Sequence, residues 1–213
     1  MIINKIKKGF ELTLKIDSLT YGGKGISKCD GLVIFTNNVL PGQIVKARII
    51  RKKKSYLEAI PLEILKESPF KKKEKCVHFY DCGGCKTQDL DYKEQLSQKE
   101  NQIIESLIHL GNIKIQQIEP ILKSDQIYEY RNKMEFSFSN NRWLISNEKG
   151  LENEKSKDFA LGLHPPKRFD KVVDLDYCDI QTKLSNKILN LVKKESIKQK
   201  LSPYDIINHV GFI

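Results

Sequence analysis

Three cysteines stand within ten residues, Cys76, Cys82 and Cys85, spaced C-x5-C-x2-C in CVHFYDCGGCKTQ. Gly83 and Gly84 separate the last two, and a glycine pair lets the backbone turn tightly enough to aim both sulfurs at one centre. Three thiolates need a fourth donor to close a metal site. The candidate is Cys178, far along the chain in VVDLDYCDI. Such a set can hold an iron–sulfur cube or a zinc ion. Structural zinc sites more often use two close pairs, or cysteines with a spaced histidine pair, and this chain has neither. The spacing leans towards iron–sulfur without deciding the matter, and His78 leaves a Cys3His zinc site open. Cys29 is the one cysteine outside the set. It lies in a turn and is not read as a nucleophile. His109, His164 and His209 have no acid or nucleophile beside them in sequence and receive no role.

The second chemical signal is charge. The chain carries 37 Lys and Arg against 27 Asp and Glu, a net +10. Residues 46–75 hold eleven of the bases and four glutamates, a net +7. Two runs dominate, Arg51-Lys52-Lys53-Lys54 and Lys71-Lys72-Lys73. Clusters of this kind neutralise phosphates and release condensed counterions, so a nucleic acid is the expected partner. No run of about eighteen apolar residues exists, and no membrane partner is expected. MIINKIKKGF has neither the apolar stretch nor the cleavage site of a secretory signal. An odd number of cysteines, four at ligand-like spacing, suits a reducing compartment, so the cytoplasm is expected.

The elements that must position these residues begin with strict alternation. Phe10, Leu12, Leu14 and Ile16 share one face of a half-buried strand. Turns at Gly22–Gly25, Asp30-Gly31 and Pro41-Gly42 separate further short strands. Val45, Ala47 and Ile49 alternate along one of them, and Arg51–Lys54 forms a hairpin tip before Tyr56–Ile60 returns. This pattern predicts a five-stranded OB-like barrel of the kind that binds single-stranded nucleic acid. Its aromatics are few, so binding there should be led by charge. Asp91 with Glu94 then predicts a capped helix ending at Gly111, with Leu96, Ile103, Leu107 and Leu110 as its apolar stripe. From Ile113 an α/β region is expected. Residues 134–138 should pair with a return strand at 143–145, and 146–158 should form a mobile loop. Further strands fall at 159–164 and 172–175, and a second amphipathic helix carries Leu184, Ile188, Leu191 and Val192.

The motif C-x5-C-G-G-C-x2-Q with a remote fourth cysteine resembles the cluster motif of the RNA uracil-5-methyltransferases that act on 23S ribosomal RNA and tRNA. Phe10–Leu65 is similar to the TRAM domain of those enzymes, and YRNKMEFSF (Tyr130–Phe138) and LGLHPPKRFDKVVDLDYCDIQ (Leu161–Gln181) to their central domain. The resemblance implies a structural 4Fe–4S cluster held by Cys76, Cys82, Cys85 and Cys178. It implies that Arg131 and Lys133 face RNA near the target base, that ribosomal RNA is the partner, and that the protein is monomeric. S-adenosylmethionine is the implied methyl donor of the full-length enzymes, with a thiolate attacking C6 of a flipped-out uracil.

The expected architecture is therefore mixed β and α/β. Residues 1–67 form a TRAM OB-like RNA-binding barrel, 68–90 the cysteine segment, 91–112 a helix that would pack on a catalytic domain, and 113–213 a truncated central α/β domain. A C-terminal Rossmann-like methyltransferase domain is expected to be absent, and the chain alone inactive. The rival expectation is a stand-alone, non-enzymatic RNA-binding module stabilised by zinc. An electron-transfer protein is a third, disfavoured because lysine runs imply a polyanion.

Overall fold

The computed structural model describes residues 6–145 and 156–212. The chain forms two compact units, one from 1–73 with 89–123 and the other from 74–88 with 124–213.

In the first unit, β1 (Glu11–Lys15), β2 (Ser18–Leu19), β3 (Gly25–Cys29), β4 (Leu32–Thr36), β5 (Ile44–Lys52) and β6 (Tyr56–Lys66) make one sheet in the order β1-β5-β6-β4-β3-β2. The edge strands β1 and β2 are consecutive halves of one segment. Its first half pairs with β5 and its second with β3, so the sheet curls round and closes on itself. Closure removes the unpaired edges that an open sheet would present. The extra strand over the expected five comes from the bend at Ile16–Asp17, where the Ile16 amide donates to the Gln43 carbonyl and the Asp17 amide to that of Ile26.

Alternation fixes which side chains enter the barrel. Val45, Ala47 and Ile49 of β5 are fully buried with Ile16, Ile34 and Leu57. Each fully buried large aliphatic among them contributes about 1.5–3 kcal/mol relative to exposure. Lys46 and Arg48, on the opposite face of β5, both pair with Glu11 across the sheet. Asp30 and Gly31, both at positive φ, turn β3 into β4 with the two-residue geometry that suits strand twist.

Helix α1 (Tyr92–His109) starts where the capping signal predicts, with Asp91 accepting from the Lys93 amide. Glu94 does not complete a capping box; it takes a hydrogen bond from Gln98 instead. The helix ends with Asn112, not Gly111, in the left-handed region. Its buried face also differs from the expected stripe. Gln98 accepts from the Leu19 amide and Gln102 donates to the carbonyls of Leu19 and Thr20, while Ile103, Leu107 and Leu110 are exposed. A sheet edge with free polar groups recruits amides in preference to methyls.

The second unit combines a small sheet with a helix. Its sheet, β7 (Ser137–Ser139), β8 (Arg142–Trp143), β9 (Ala160–Leu163) and β10 (Val172–Asp174), runs β7-β9-β10-β8, and only β8–β10 is parallel. The expected hairpin of 134–138 with 143–145 does not form: β7 pairs with β9 and β8 with β10. The expected loop at 146–158 lies mostly outside the described residues. Leu161, Val173, Leu175 and Leu189 form the core, with Phe136, Phe138 and Phe159 packed on it. Helix α2 (Lys183–Lys198) is capped by Thr182 and turns Asn186, Leu189 and Ser196 inward. The expected stripe Leu184, Ile188, Leu191 and Val192 is exposed. Lys193 accounts for part of this choice, because its ammonium reaches both Asp174 of β10 and Asp176 at 2.7 Å. Among the described residues no helix is long and apolar enough to cross a membrane.

Candidate functional site

All four sequence-predicted thiols line one cavity of about 460 Å³ in the second unit. Cys76, Cys82 and Cys85 come from the 74–88 segment. Residues 78–85 curl by local turns, with the Cys82 amide donating to the His78 carbonyl at 2.7 Å. Cys178 comes from the turn between β10 and α2 and is the most buried of the four. Gln88 braces the segment from within: its Oε1 accepts from the Cys76 amide, and its Nε2 donates towards Cys85 Sγ at 3.3 Å. The Gly84 amide points at Cys82 Sγ, also at 3.3 Å. Such N–H groups aimed at sulfur stabilise negative charge on it.

Cys178 is held by a residue that sequence reasoning missed. Asn186, buried in the first turn of α2, accepts from the Cys178 amide at 2.8 Å and donates to the Cys178 carbonyl at 3.1 Å. It also accepts from Gln181 at 2.6 Å. The only signal was position: a polar residue one turn after the helix cap, where the chain doubles back on Cys178. Substituting Asn186 with leucine strands the Cys178 backbone and the Gln181 amide in a dry site. The expected loss is about 2–4 kcal/mol, read by denaturant unfolding, with weaker retention of any bound metal.

A second tie flanks the first. Lys75 pairs with Asp179 at 3.3 Å and sits 4.6 Å over the Tyr128 ring, so neighbours of Cys76 and Cys178 are joined directly. Gly83 fits against the loop after β9: its amide donates to the His164 carbonyl, and an added Cβ would stand 2.7 Å from that oxygen.

Burial pushes the Cys76 thiol up to about 11 and raises those of Cys82 and Cys178 as well. Loading a metal on these three thiols must therefore release protons, so affinity rises with pH. Among the described residues no three His, Cys, Asp or Glu side chains converge closely enough to share a single metal ion. His78 is buried beside the cavity rather than at the surface. The donor set is four sulfurs lining one space, with N–H groups directed at two of them.

Arg131 and Lys133 line the same cavity. The backbone at 129–131 runs beside 179–181, with the Arg131 amide on the Ile180 carbonyl, which brings the arginine to the cysteine site. Lys133 pairs with Glu135 in solvent. In the first unit, Arg51–Lys54 is an exposed hairpin tip closed by the Lys53 amide on the Tyr56 carbonyl. Arg51 faces Glu58 at 3.7 Å, and the Lys52 ammonium reaches the Ile6 carbonyl. Lys71 and Lys72 are ion-paired with Glu67 and Asp91, and Lys73 is exposed. Cys29 ends β3 against the barrel core, and burial raises its thiol too, as befits a packing residue.

This closed basic barrel is a TRAM domain: that family matches residues 5–62. Over nearly its whole length the chain is similar to proteins described as RNA methyltransferases. A protein of Bacteroides thetaiotaomicron described as an uncharacterized RNA methyltransferase is 38% identical over 191 residues, 90% of this chain and 42% of its own length. A protein of Chlorobaculum tepidum described in the same way is 35% identical over 98% of this chain and 44% of its own length. The fold is similar to that of a Pyrococcus abyssi tRNA (uracil-54, C5)-methyltransferase, solved with S-adenosyl-L-homocysteine. The TM-score is 0.54 and the identity 19%, over 93% of this chain and 40% of that one. The chain thus spans about two-fifths of the length of the curated relatives it matches. These matches overturn the expectation of an absent methyltransferase domain, and with it the reading of the chain as an inactive N-terminal portion. Between 90% and 98% of the chain aligns with proteins described as RNA methyltransferases. That expectation rested on where the sequence stops, on the lack of a glycine-rich strand-to-helix turn and on Cys29 being the one cysteine left as nucleophile, none of which bounds the protein.

Proposed function

We propose that the protein is an S-adenosylmethionine-dependent RNA uracil-C5 methyltransferase, and that this chain binds ribosomal RNA and holds a 4Fe–4S cluster on Cys76, Cys82, Cys85 and Cys178. The observation that carries this reading is the one cavity that four thiols line, with Arg131 and Lys133 at the same space. When bound, the cluster supplies a cross-link between the 74–88 segment and the turn after β10. Arg131 offers a planar fork that clamps phosphate or stacks on an unpaired base. S-adenosylmethionine is the donor in keeping with relatives described as methyltransferases. The exposed tip Arg51–Lys54, with Lys71, Lys72 and Lys73, supplies charge to the polyanion without reading its sequence.

The test is affinity for a ribosomal RNA hairpin across a salt series, with a tRNA competitor in a second arm. Lys53→Glu with Lys54→Glu should make the log–log salt slope shallower by roughly 1.4–1.8, because each lost phosphate contact removes about 0.7–0.9. An unchanged slope would take the hairpin tip off the RNA surface. Preference for the tRNA competitor would replace the ribosomal substrate.

A further inference from the structure

The loop between β9 and β10 carries an exposed aromatic ring that no other role accounts for. Phe169 is 76% exposed, on a segment that reads His164-Pro165-Pro166-Lys167-Arg168-Phe169-Asp170-Lys171. The loop is braced on both sides of that ring. His164 Nδ1 meets the Lys171 carbonyl at 2.7 Å and joins the loop's two ends. The Arg168 amide donates to the Pro165 carbonyl, with Pro166 second in the turn and Lys167 third at φ 63°. That is the pattern of a type II turn, tightened by the ring of Pro166. Arg168 forks onto Asp170 through two bonds of 2.7 Å, and Asn141 donates to the Asp170 carbonyl.

The far side is braced as well. Trp143, the chain's single tryptophan, donates to Asp81 and lies within 6 Å of both Arg168 and Lys171. The Gly83 amide fastens the loop's start to the cysteine segment. Phe169 therefore faces solvent because the loop is built that way, with the His164 ring 6.1 Å from its own. Three cations against one carboxylate surround it in sequence.

We propose that this loop is a stacking platform for an unpaired RNA base, with Phe169 giving the ring and Lys167 and Lys171 the flanking phosphate contacts. The proposal rests on the RNA-binding reading above and deepens it, because the barrel's hairpin tip supplies charge while this loop supplies a surface that needs bases. An aromatic face is sequence-tolerant, since every base presents a π-face. A rigid loop loses little entropy when the base arrives, so the contact is efficient for its size.

The experiment compares two probes on the 213-residue chain: a short oligouridylate, and an abasic oligomer with the same number of phosphates. Phe169→Ala should weaken oligouridylate binding by about 5- to 100-fold and leave the abasic probe unchanged. Phe169→Trp should restore oligouridylate binding. Lys167→Gln should weaken both probes equally and lower the salt slope. Trp143 fluorescence of the alanine and glutamine variants checks that the loop is intact. If the wild type binds neither probe, the RNA reading fails and the platform with it. If the wild type binds oligouridylate and Phe169→Ala binds it equally well, the platform alone is overturned and the ring belongs to a protein contact. An equal loss on both probes also overturns it, because stacking would then not be what the ring supplies.

Discussion

On the proposed 4Fe–4S assignment, Cys178→Ser is expected to reduce iron and sulfide in the anaerobically purified chain from four of each to near zero, and to remove the visible charge-transfer absorption. Three ligands on one short segment cannot fix a cube to a second element, and the fourth is the buried thiol beyond β10. Because ligands must converge on folding, binding free energy is folding free energy, so the second unit should also unfold at lower denaturant. Cys29→Ser is the control. That residue packs against the barrel core at the end of β3, and its iron content should match the wild type. A colourless wild type holding one zinc would overturn the cluster assignment. Full iron in Cys178→Ser would remove that thiol from the ligand set.

Gly162→Ala should strongly destabilise the second unit, although it adds a single methyl. Gly162 lies in β9, an inner strand of the sheet, opposite Ser137 of β7 and Asp174 of β10. An added Cβ would collide with the Val173 carbonyl, and Leu175 closes the remaining space from 3.0 Å. Neither a strand carbonyl nor a core leucine can step aside without breaking the ladder. The expected loss is about 3 kcal/mol, at the upper end for an overpacked core. Gly22→Ala in the barrel meets nothing nearer than the Thr20 hydroxyl at 4.0 Å and should change stability by less than about 0.5 kcal/mol. Denaturant unfolding of the two variants measures the contrast.

How much of this is legible in sequence follows from the range of the interactions. The barrel strands are readable because Leu14 and Ile16, or Val45, Ala47 and Ile49, alternate on a period of two that local pleating enforces. The β5–β6 hairpin and its basic tip are readable because a run of four cations between two alternating segments has nowhere to go but solvent. The second sheet is not readable. Its strands have two to four residues each, and β8 finds its parallel partner thirty residues on, with no periodic signal to announce it. Both helices lie where the sequence predicts them and turn a different face inward, for one reason. Their apolar stripes predict the inner faces of α1 and α2, whereas Gln98, Gln102, Asn186 and Lys193 satisfy buried partners that only the folded chain creates. Cys76, Cys82 and Cys85 are legible by spacing and Cys178 by the resemblance of VVDLDYCDI, whereas Asn186, which holds Cys178 in place, is not legible.

The amide grip of α1 has a thermal consequence. A helix seated on oil resists leaving because water must order around what it uncovers. A helix seated through Gln98 and Gln102 exchanges one set of hydrogen bonds for another with solvent when it lifts. Its detachment from the barrel would raise the heat capacity less than the detachment of a helix seated on apolar side chains, because exposing polar surface lowers heat capacity and exposing apolar surface raises it.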